Sequence, residues 1–363
     1  MEWVLDWQFL FLGIVLECIR RMWPRLSSKR APEPPNWPSV AIVVPCRDEA
    51  ARLDELLPSL LAIDYPNFEI IIVDDGSTDG TGDIARGYGL KVVKTRPRPR
   101  NFMGKNWACH EGAGHASSDY LVFTDADTIH RKHSLKRAIS FAIDRQVGMV
   151  SALPFHRCEK YWERLMGPFH FLLLLVTNPF LEKPKPKNLF SIGQYLLFNT
   201  KSYWQRGGHE AIASRVAEDL VLANTFAAQK DYALYTNQPA LYEVQMYRSF
   251  GEFVLGWRRS FRAGISLSSK WSPLLVASVL WLMLLPFSEP RNLIFWSILL
   301  ILLTLMVKWQ AVFGRFSRLG IFGFPIGIAT FVSISILSFW DIIFKTDYKW
   351  KGRSYRSSDG SFK

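Results

Sequence analysis

Two carboxylates separated by a single alanine, Asp125 and Asp127, end a short hydrophobic run in the middle of the chain. The run at residues 121–123 has the composition of a buried strand. An aspartate in this place often only hydrogen-bonds the turning backbone, so the pair taken alone predicts a turn. The chemical alternative is a cation site, because Mg²⁺ and Mn²⁺ prefer hard oxygen ligands such as carboxylates.

Polar residues also follow the first two of four predicted strands. These strands are predicted from hydrophobic, β-branched runs that begin at residues 40, 68, 90 and 120. Arg47, Asp48 and Glu49 follow the first run, and Asp74 and Asp75 follow the second. Parallel strands carry their ligands at their carboxyl ends, so these side chains should meet the first acid pair. Clustered carboxylates repel one another without a cation, and the sequence therefore predicts Mg²⁺ or Mn²⁺ there.

The same stretch predicts the fold class. Leucines at helical spacing between residues 53 and 61 predict a helix that begins near Asp48 and Glu49. Alternating strands and helices are typical of a doubly wound α/β fold with a mostly parallel sheet. No GxGxxG follows the first strand and no GxxxxGK[ST] occurs, so neither a dinucleotide fingerprint nor a P-loop is predicted.

Charge and composition exclude several classes of partner. The 363 residues include 44 Lys and Arg against 32 Asp and Glu, a net charge of +12. Such an excess can serve nucleic acid, an anionic membrane surface or a phosphate-bearing substrate. The sequence has no zinc knuckle, RNP motif or recognisable DNA-reading helix, so we expect no nucleic-acid partner. The four cysteines are scattered without a CxxC pair, which fits a reducing, cytosol-facing core.

Apolar runs at both ends predict an integral membrane protein. Residues 3–19 are apolar and precede a basic cluster at 20–30, which indicates an N-terminal anchor with the next domain in the cytoplasm, at an inner or plasma membrane. A tilted interfacial helix is the alternative. Three further spans are predicted at residues 272–287, 293–307 and 321–340. Three full crossings would put the basic tail outside, so we predict that one segment is re-entrant or only dips into the interface. Gly323, Pro325 and Gly327 mark the last segment as the candidate.

The chain therefore divides into four parts. We predict an anchor with its basic flank at residues 1–30, an α/β domain with interfacial helices at 31–265, transmembrane helices at 266–344 and a basic tail at 345–363. Prolines exclude a helix from the linker that opens the α/β domain. The apolar run at 169–181 is short for a span, so it is either a core helix or an amphipathic element on the membrane.

Five segments in a fixed order resemble the motifs of family 2 glycosyltransferases with a GT-A fold. They are VVPCRDE, IIIVDDGSTDGT, MGKNWACHEG, VFTDADT and SRVAEDLVLA, and the resemblance covers roughly residues 40–265. Five ordered motifs are far more specific than any one alone. The segments GKNWAC, GGHEAI and WKGRSY are most similar to membrane-bound enzymes that glycosylate lipids such as carotenoid acids, hopanoids or ceramide. The resemblance implies a Rossmann-like GT-A catalytic domain.

The resemblance assigns nucleotide-binding and metal-binding roles to residues of these motifs. Asp75 would accept a hydrogen bond from a uracil ring, and Asp74 would shape the turn around it. Lys105 would reach the base or the phosphates. Asp125 would contact the ribose or metal-bound water, and Asp127 would ligate the divalent ion. The residues expected to line the nucleotide pocket after the first strand are Pro45, Arg47 and Glu49.

The motif VAEDLVLA carries the pair that the resemblance assigns to proton transfer. Asp219 would act as the general base on the acceptor, and Glu218 would orient it. The structural alternative is a helix N-terminus, where the helix dipole favours acids. The place of the pair after the other motifs favours the catalytic role. His209 would contact the diphosphate or the acceptor, or it is a surface histidine with no role.

The stretch GWRRSFRAG, residues 256–264, would form the acceptor side of the site. Trp257 would cap the acceptor, and Arg258 and Arg259 would face the diphosphate. The alternative is a basic amphipathic helix on the membrane surface. The basic, proline-containing loop at 94–105 is either a lid over the nucleotide or a patch for anionic lipid.

Polymer-making members of the family carry a QxxRW motif that this sequence lacks. Gln245 and Arg248 keep the spacing, but a serine replaces the tryptophan, and we interpret the match as coincidence. Without the motif and a large transmembrane bundle, the protein is expected to add a single sugar.

The resemblance therefore implies an inverting glycosyltransferase that moves one sugar from a UDP-sugar to a membrane lipid, with a divalent metal and Asp219 as base. Three alternatives stay open: a processive polysaccharide synthase, a polyprenyl-phosphate glycosyltransferase and a catalytically dead scaffold. The intact set Asp75, Asp125, Asp127 and Asp219 argues against the scaffold.

Overall fold

The computed structural model of the chain describes most of residues 30–344. The described ranges are 30–177, 189–237, 240–265 and 286–344, with short pieces at residues 13, 277, 280, 281, 283, 284, 346, 348–350 and 353–355. The predicted N-terminal anchor, apart from residue 13, lies outside the described residues. The same holds for most of the predicted span at 272–287 and for most of the tail.

A seven-stranded sheet and a smaller three-stranded sheet organise the α/β domain. The strands are β1 Val40–Cys46, β2 Phe68–Asp74, β3 Lys91–Lys94, β4 Tyr120–Thr124, β5 Thr128–His130, β6 Met149–Ala152, β7 Phe155–His156, β8 Tyr195–Asn199, β9 Tyr232–Tyr235 and β10 Tyr242–Val244. The large sheet has the order β3-β2-β1-β4-β8-β6-β9, and within it only β8 runs antiparallel to its neighbours. The predicted mostly parallel sheet is confirmed, with all four predicted strands present.

Helices cover both faces of the large sheet. In chain order, the helices of the described residues are α1 Ala50–Leu61, α2 Thr81–Gly87, α3 Gly104–Gly114, α4 Ser134–Arg145, α5 Tyr161–Leu165, α6 Gly167–Thr177, α7 Thr200–Gln205, α8 Glu218–Ala227, α9 Phe250–Ile265, α10 Leu293–Phe313 and α11 Phe324–Ile343. Alternate residues of β1 face opposite layers: Val40 and Ile42 pack with α1 and α4, and Ala41 and Val43 pack with α3 and α8. Burial on both faces explains why β1 is apolar throughout rather than alternating.

The predicted first helix is present as α1, with Glu49 as its N-cap residue. Four of the five leucines at helical spacing are buried, and the fifth, Leu61, is exposed beyond the apolar stripe. The three-stranded sheet, in the order β5-β10-β7, begins directly after the acid pair. Antiparallel pairing of Val244 with Thr128 brings the chain after β10 beside Asp127.

Two C-terminal helices are long and apolar enough to cross a membrane, by length and composition: α10 and α11. Pro325 lies in the first turn of α11, where proline is tolerated, and 20 residues form one helix. The re-entrant or interfacial path of this segment stays a prediction. The apolar run that begins at residue 169 lies in α6, whose Phe169 and Leu172 are fully buried against α10 and α11. Up to residue 177 this run is a core helix, and its last four residues lie outside the described ones.

Helix α3 packs closely against the large sheet at Gly112. A Cβ atom there would overlap Val43 Cγ1 and lie 2.7 Å from Val73 Cγ2. We expect Gly112→Ala to lower the free energy of unfolding by about 1–3 kcal/mol, because overpacking forces the strands aside. The control is Gly114→Ala in the same helix, where no atom lies within 4 Å of the added methyl group. Thermal unfolding in detergent should show a lower Tm for the first variant only; equal Tm values would contradict this packing.

Candidate active site

The loops after β1 and β2 are joined into one surface at the carboxyl edge of the sheet. The Arg47 guanidinium donates to the Asp75 backbone oxygen at 2.5 Å. The Thr78 backbone N–H donates to Asp48 Oδ1 at 2.8 Å, and the Glu49 N–H donates to Thr81 Oγ1 at 2.9 Å. These contacts hold the residues predicted to line a nucleotide pocket in one rigid rim.

Asp74 and Asp75 differ in what their carboxylates do. Asp74 Oδ1 accepts the Ser77 backbone N–H at 2.8 Å, which closes the turn after β2. Asp75 is buried, with 6% of its surface exposed, and Thr95 Oγ1 donates to its Oδ1 at 3.2 Å. Asp74 therefore has the turn-shaping position expected for it. The uracil contact predicted for Asp75 stays a prediction.

A lysine joins the acid pair after β4 to the acid pair of α8. Lys105 Nζ lies 2.7 Å from Asp125 Oδ1 and 2.8 Å from Glu218 Oε1. Burial lowers the pKa of Lys105, but attraction to the two carboxylates outweighs it and holds this pKa well above its ordinary value. Lys105 is therefore a permanent cation between the donor-side and base-side acids.

Asp127 has the features of a ligand to a cation. Its Oδ1 atom is buried without a hydrogen-bond partner. Burial, and then repulsion from Asp125, raise the pKa of Asp127 to about 7. A divalent ion would satisfy the orphaned oxygen and stabilise the ionised form. No group of three His, Cys, Asp or Glu side chains among the described residues could hold a metal, so the remaining ligands would be substrate phosphates and water.

Asp219 lies on the other side of Lys105, in the first turn of α8. The Leu220 N–H donates to its Oδ1 at 2.8 Å. Burial and the neighbouring Glu218 raise the pKa of Asp219 to about 7, against the opposing pull of Lys105. A carboxylate with this pKa can accept a proton near neutral pH. The helix-dipole interpretation and the catalytic interpretation are therefore both compatible with its position.

Two residues that the sequence did not single out fix this arrangement. Asn106 Nδ2 donates to the backbone oxygens of Ile212, Ala213 and Arg215 at 3.0, 3.0 and 2.9 Å, which ties α3 to the loop before α8. A Cβ atom at Gly193 would lie 2.9 Å from Glu218 Oε1. In the sequence, Asn106 is marked only by the GKNWAC motif and Gly193 only as a glycine before β8. Neither pattern indicates which residues these two would contact.

The chain after β10 also reaches the site. The Arg52 guanidinium donates to the backbone oxygens of Gln245 and Met246 at 2.8 and 3.2 Å, and its charge opposes the rise in the Asp127 pKa. Burial raises the pKa of Tyr247, and the charges of Arg259 and Asp127 also act on it. The segment that contains Gln245 and Arg248 thus lies beside the acid pair. The interpretation of their QxxR spacing as coincidence does not predict this position.

The structure does not bring His209 to the surface of the site. His209 is 1% exposed, and its Nδ1 lies 2.8 Å from the Tyr203 hydroxyl. Burial lowers the pKa of His209 to about 3, so the ring is neutral. Neither the predicted contact with diphosphate or acceptor nor the surface alternative is met, because the ring packs against Phe123 of β4 at 4.7 Å between centroids.

The two adjacent arginines of α9 have different partners. Arg258 forms an ion pair with Asp341 of α11, so its predicted position at the diphosphate is wrong. Burial raises the pKa of Asp125, Lys105 opposes it most, and Arg259 opposes it further, so Arg259 lies within electrostatic reach of the acid pair. Trp257 is 8% exposed and packs on Phe169 of α6, with 5.3 Å between the ring centroids. Only Arg259 keeps a place near the predicted donor site.

Comparison with known proteins identifies the class of this site. The family model described as glycosyl transferase family 2 matches residues 41–207. A 4,4'-diaponeurosporenoate glycosyltransferase from Staphylococcus haemolyticus (strain JCSC1435) is 30% identical over 349 residues, covering 91% of this chain and 92% of the relative. A protein of the same name from Staphylococcus aureus (strain bovine RF122 / ET3-1) is 27% identical over 252 residues, 68% of this chain and 66% of the relative.

A solved structure has the same fold. A mannosyltransferase from Pyrobaculum calidifontis, determined with GDP-Man and Mn²⁺, aligns with a TM-score of 0.59 at 20% identity and covers 92% of this chain and 95% of that one. The predicted GT-A fold is confirmed. A relative of 30% identity along nearly the whole chain, together with the family 2 model on this sheet, shows that the protein is an enzyme of glycosyl transferase family 2.

Proposed function

We propose that the enzyme is an inverting glycosyltransferase that moves one sugar from a UDP-sugar to a membrane lipid, with Mg²⁺ or Mn²⁺ and with Asp219 as general base. The observation that carries this proposal is the ion-pair bridge Asp125–Lys105–Glu218. The bridge joins Asp125, two residues before the candidate metal ligand Asp127, to Glu218, which directly precedes the candidate base Asp219. A donor diphosphate and an acceptor can therefore meet between them.

The residues around this bridge have separate tasks in the proposed reaction. A bound divalent ion would stabilise the negative charge that grows on the leaving diphosphate. Lys105 and Arg259 add fixed positive charge beside the same group. Asp219 accepts the proton of an acceptor hydroxyl as its oxygen attacks the sugar. One displacement on the face opposite the leaving group inverts the anomeric carbon, since no covalent intermediate intervenes.

The lipid acceptor is supported by the printed names of the relatives and by the apolar helices. Diaponeurosporenoate is the acceptor named for the two staphylococcal proteins. Side chains such as Leu293 and Leu300 of α10 and Ile336 of α11 are exposed, as expected for helices in contact with lipid. We place the enzyme in the inner or plasma membrane with the catalytic domain in the cytoplasm, because a basic cluster at residues 20–30 precedes that domain.

The alternative functions differ from the proposed one in product or in acceptor. A polysaccharide synthase would release long polymer, and a polyprenyl-phosphate glycosyltransferase would use a lipid phosphate as acceptor. The similar fold of the mannosyltransferase solved with GDP-Man makes GDP-sugars a necessary part of any donor test. The missing QxxRW tryptophan favours transfer of a single sugar.

Release of the nucleoside diphosphate tests the proposed donor site. Purified full-length enzyme in detergent should slowly release the nucleoside diphosphate from one member of a panel of UDP-glucose, UDP-galactose, UDP-N-acetylglucosamine and GDP-mannose when Mn²⁺ is present, and we expect that member to be a UDP-sugar. EDTA, or the substitution Asp127→Asn, should reduce release by about 100-fold or more, because the growing charge loses its counter-ion. The control is Asp144→Asn, an acid on the outer part of α4, which should behave as wild type. Release in EDTA at the wild-type rate would exclude the metal role, and release from GDP-mannose alone would change the donor.

The pH dependence of transfer distinguishes a lipid alcohol acceptor from a lipid carboxylic acid acceptor. A hydroxyl acceptor needs a base, whereas a carboxylic acid acceptor is already ionised at neutral pH. With a lipid alcohol, the rate should rise as the pH rises through about 7, where Asp219 loses its proton, and then level off. Asp219 faces the charges of Glu218 and Lys105 and the hydroxyl of Tyr232, so these set the midpoint.

Asp219→Asn separates the classes directly. Transfer to a lipid alcohol should fall by about 100- to 10,000-fold, the usual contribution of a general base. Transfer to a carotenoid carboxylate should fall far less. Its rate should not depend on pH near 7 in either the wild type or the variant, because the acceptor is already ionised. Thin-layer chromatography of radiolabelled lipid measures both. An equal, large loss with both acceptors would remove proton transfer as the role of Asp219.

A further inference from the structure

The helix α9 lies between the active site and the apolar helix α11, and its adjacent arginines point to different sides. Successive helical residues are about 100° apart around the axis, so Arg258 and Arg259 leave the helix on different sides. Arg258 pairs with Asp341, while Arg259 lies three residues after Gly256, on the side of α9 that packs against Tyr247. The rotation of α9 about its axis therefore decides whether Arg259 faces the acids.

The contact with α11 fixes that rotation through several polar groups. Both carboxylate oxygens of Asp341 accept from Arg258, with 2.5 Å between Arg258 Nη2 and Asp341 Oδ1. Ser338 Oγ donates to the Arg258 backbone oxygen at 3.0 Å. Thr346 Oγ1 donates to Asp341 Oδ1 at 2.5 Å, and Arg262 donates to the Thr346 backbone oxygen at 2.7 Å. Two turns of α9 are thus held by the end of α11.

The opposite side of α9 fits closely against the chain after β10. A Cβ atom at Gly256 would overlap the ring of Tyr247, so the helix has no room to approach further. Tyr247 in turn lies beside the acid pair. A helix held against Tyr247 on one side and tied to Asp341 on the other has a single rotational setting.

A buried ionised carboxylate is an unfavourable way to hold two helices together, because it loses its hydration. Asp341 is 5% exposed near the end of an otherwise apolar helix, where removing a charge from water is unfavourable. Apolar packing is already supplied by Phe261 and Phe331, whose rings lie 5.2 Å apart. Buried ion pairs add little net stability but impose direction, since a bidentate pair has one favourable geometry.

We propose that the Arg258–Asp341 ion pair is a positioning device that sets the rotation of α9 and thereby holds Arg259 toward the leaving diphosphate. The inference rests on the proposed function. Arg258 and Asp341 touch neither donor nor acceptor and are positioning residues. Their effect on turnover passes through Arg259.

The test is a double-mutant cycle on turnover of the preferred nucleotide-sugar, measured with purified full-length enzyme in detergent. Asp341→Asn and Arg259→Ala should each lower kcat by about 10- to 100-fold with little change in KM, because the lost contact acts on charge that develops during reaction. In the Arg259→Ala background, Asp341→Asn should cause no further loss. The exchanged pair, Arg258→Asp with Asp341→Arg, should recover most of the wild-type kcat.

The control variant is Arg318→Gln, which removes an exposed positive charge beside the apolar helices and should keep wild-type kcat. Size-exclusion chromatography and Tm establish that each variant is folded, and the exchanged pair provides the answer if Asp341→Asn does not fold. Losses that multiply in the double variant, a wild-type kcat for folded Asp341→Asn, or a folded but inactive exchanged pair would each overturn the proposal. Failure of the proposed function is distinct, since wild-type enzyme would then turn over no nucleotide-sugar.

Discussion

The position of Lys105 between Asp125 and Glu218 is the interaction on which the active site depends. The three residues come from the start of α3, the end of β4 and the start of α8, so the bridge forms only when the sheet and both helices are assembled. Four carboxylates, those of Asp125, Asp127, Glu218 and Asp219, share this region. A single lysine cannot balance them, and burial first, then the remaining repulsion, raises the pKa values of Asp127 and Asp219.

In the proposed function, that remaining repulsion would favour a ligand that brings a cation with it. A free diphosphate would add negative charge to an acidic site, whereas a diphosphate that carries a divalent ion would offset it. The orphaned Oδ1 of Asp127 is the atom that gains most from such a ligand. Close packing keeps the geometry fixed, because Gly193 leaves no room for a methyl group beside Glu218 and Asn106 holds the loop before α8.

The sheet and its acidic edge could be predicted from sequence because both follow from local patterns. β-Branched runs predict strands, and parallel strands necessarily bring their carboxyl ends to one edge, so Asp75 and Asp125 had to lie near each other. The partner of Arg258 could not be predicted, because Asp341 lies 83 residues away and is joined to it only by helix packing. His209 was misplaced for a similar reason: its motif gives no sign that Tyr203 would hold it in the core.

In the proposed function, membrane attachment and catalysis meet in α9. The lipid acceptor of that proposal stays in the bilayer while the nucleotide-sugar arrives from water, so some element must keep the candidate site at a fixed orientation to the apolar helices. Aromatic contacts among Phe169, Phe261 and Phe331, one stacked and two edge-to-face, supply adhesion between α6, α9 and α11. Because both ring arrangements are favourable, this packing tolerates sliding and rotation. A bidentate ion pair does not, because its strength depends on the angle between two planar groups. Adhesion and orientation are therefore separate requirements at this junction, and the aromatic cluster meets the first while Arg258 and Asp341 meet the second.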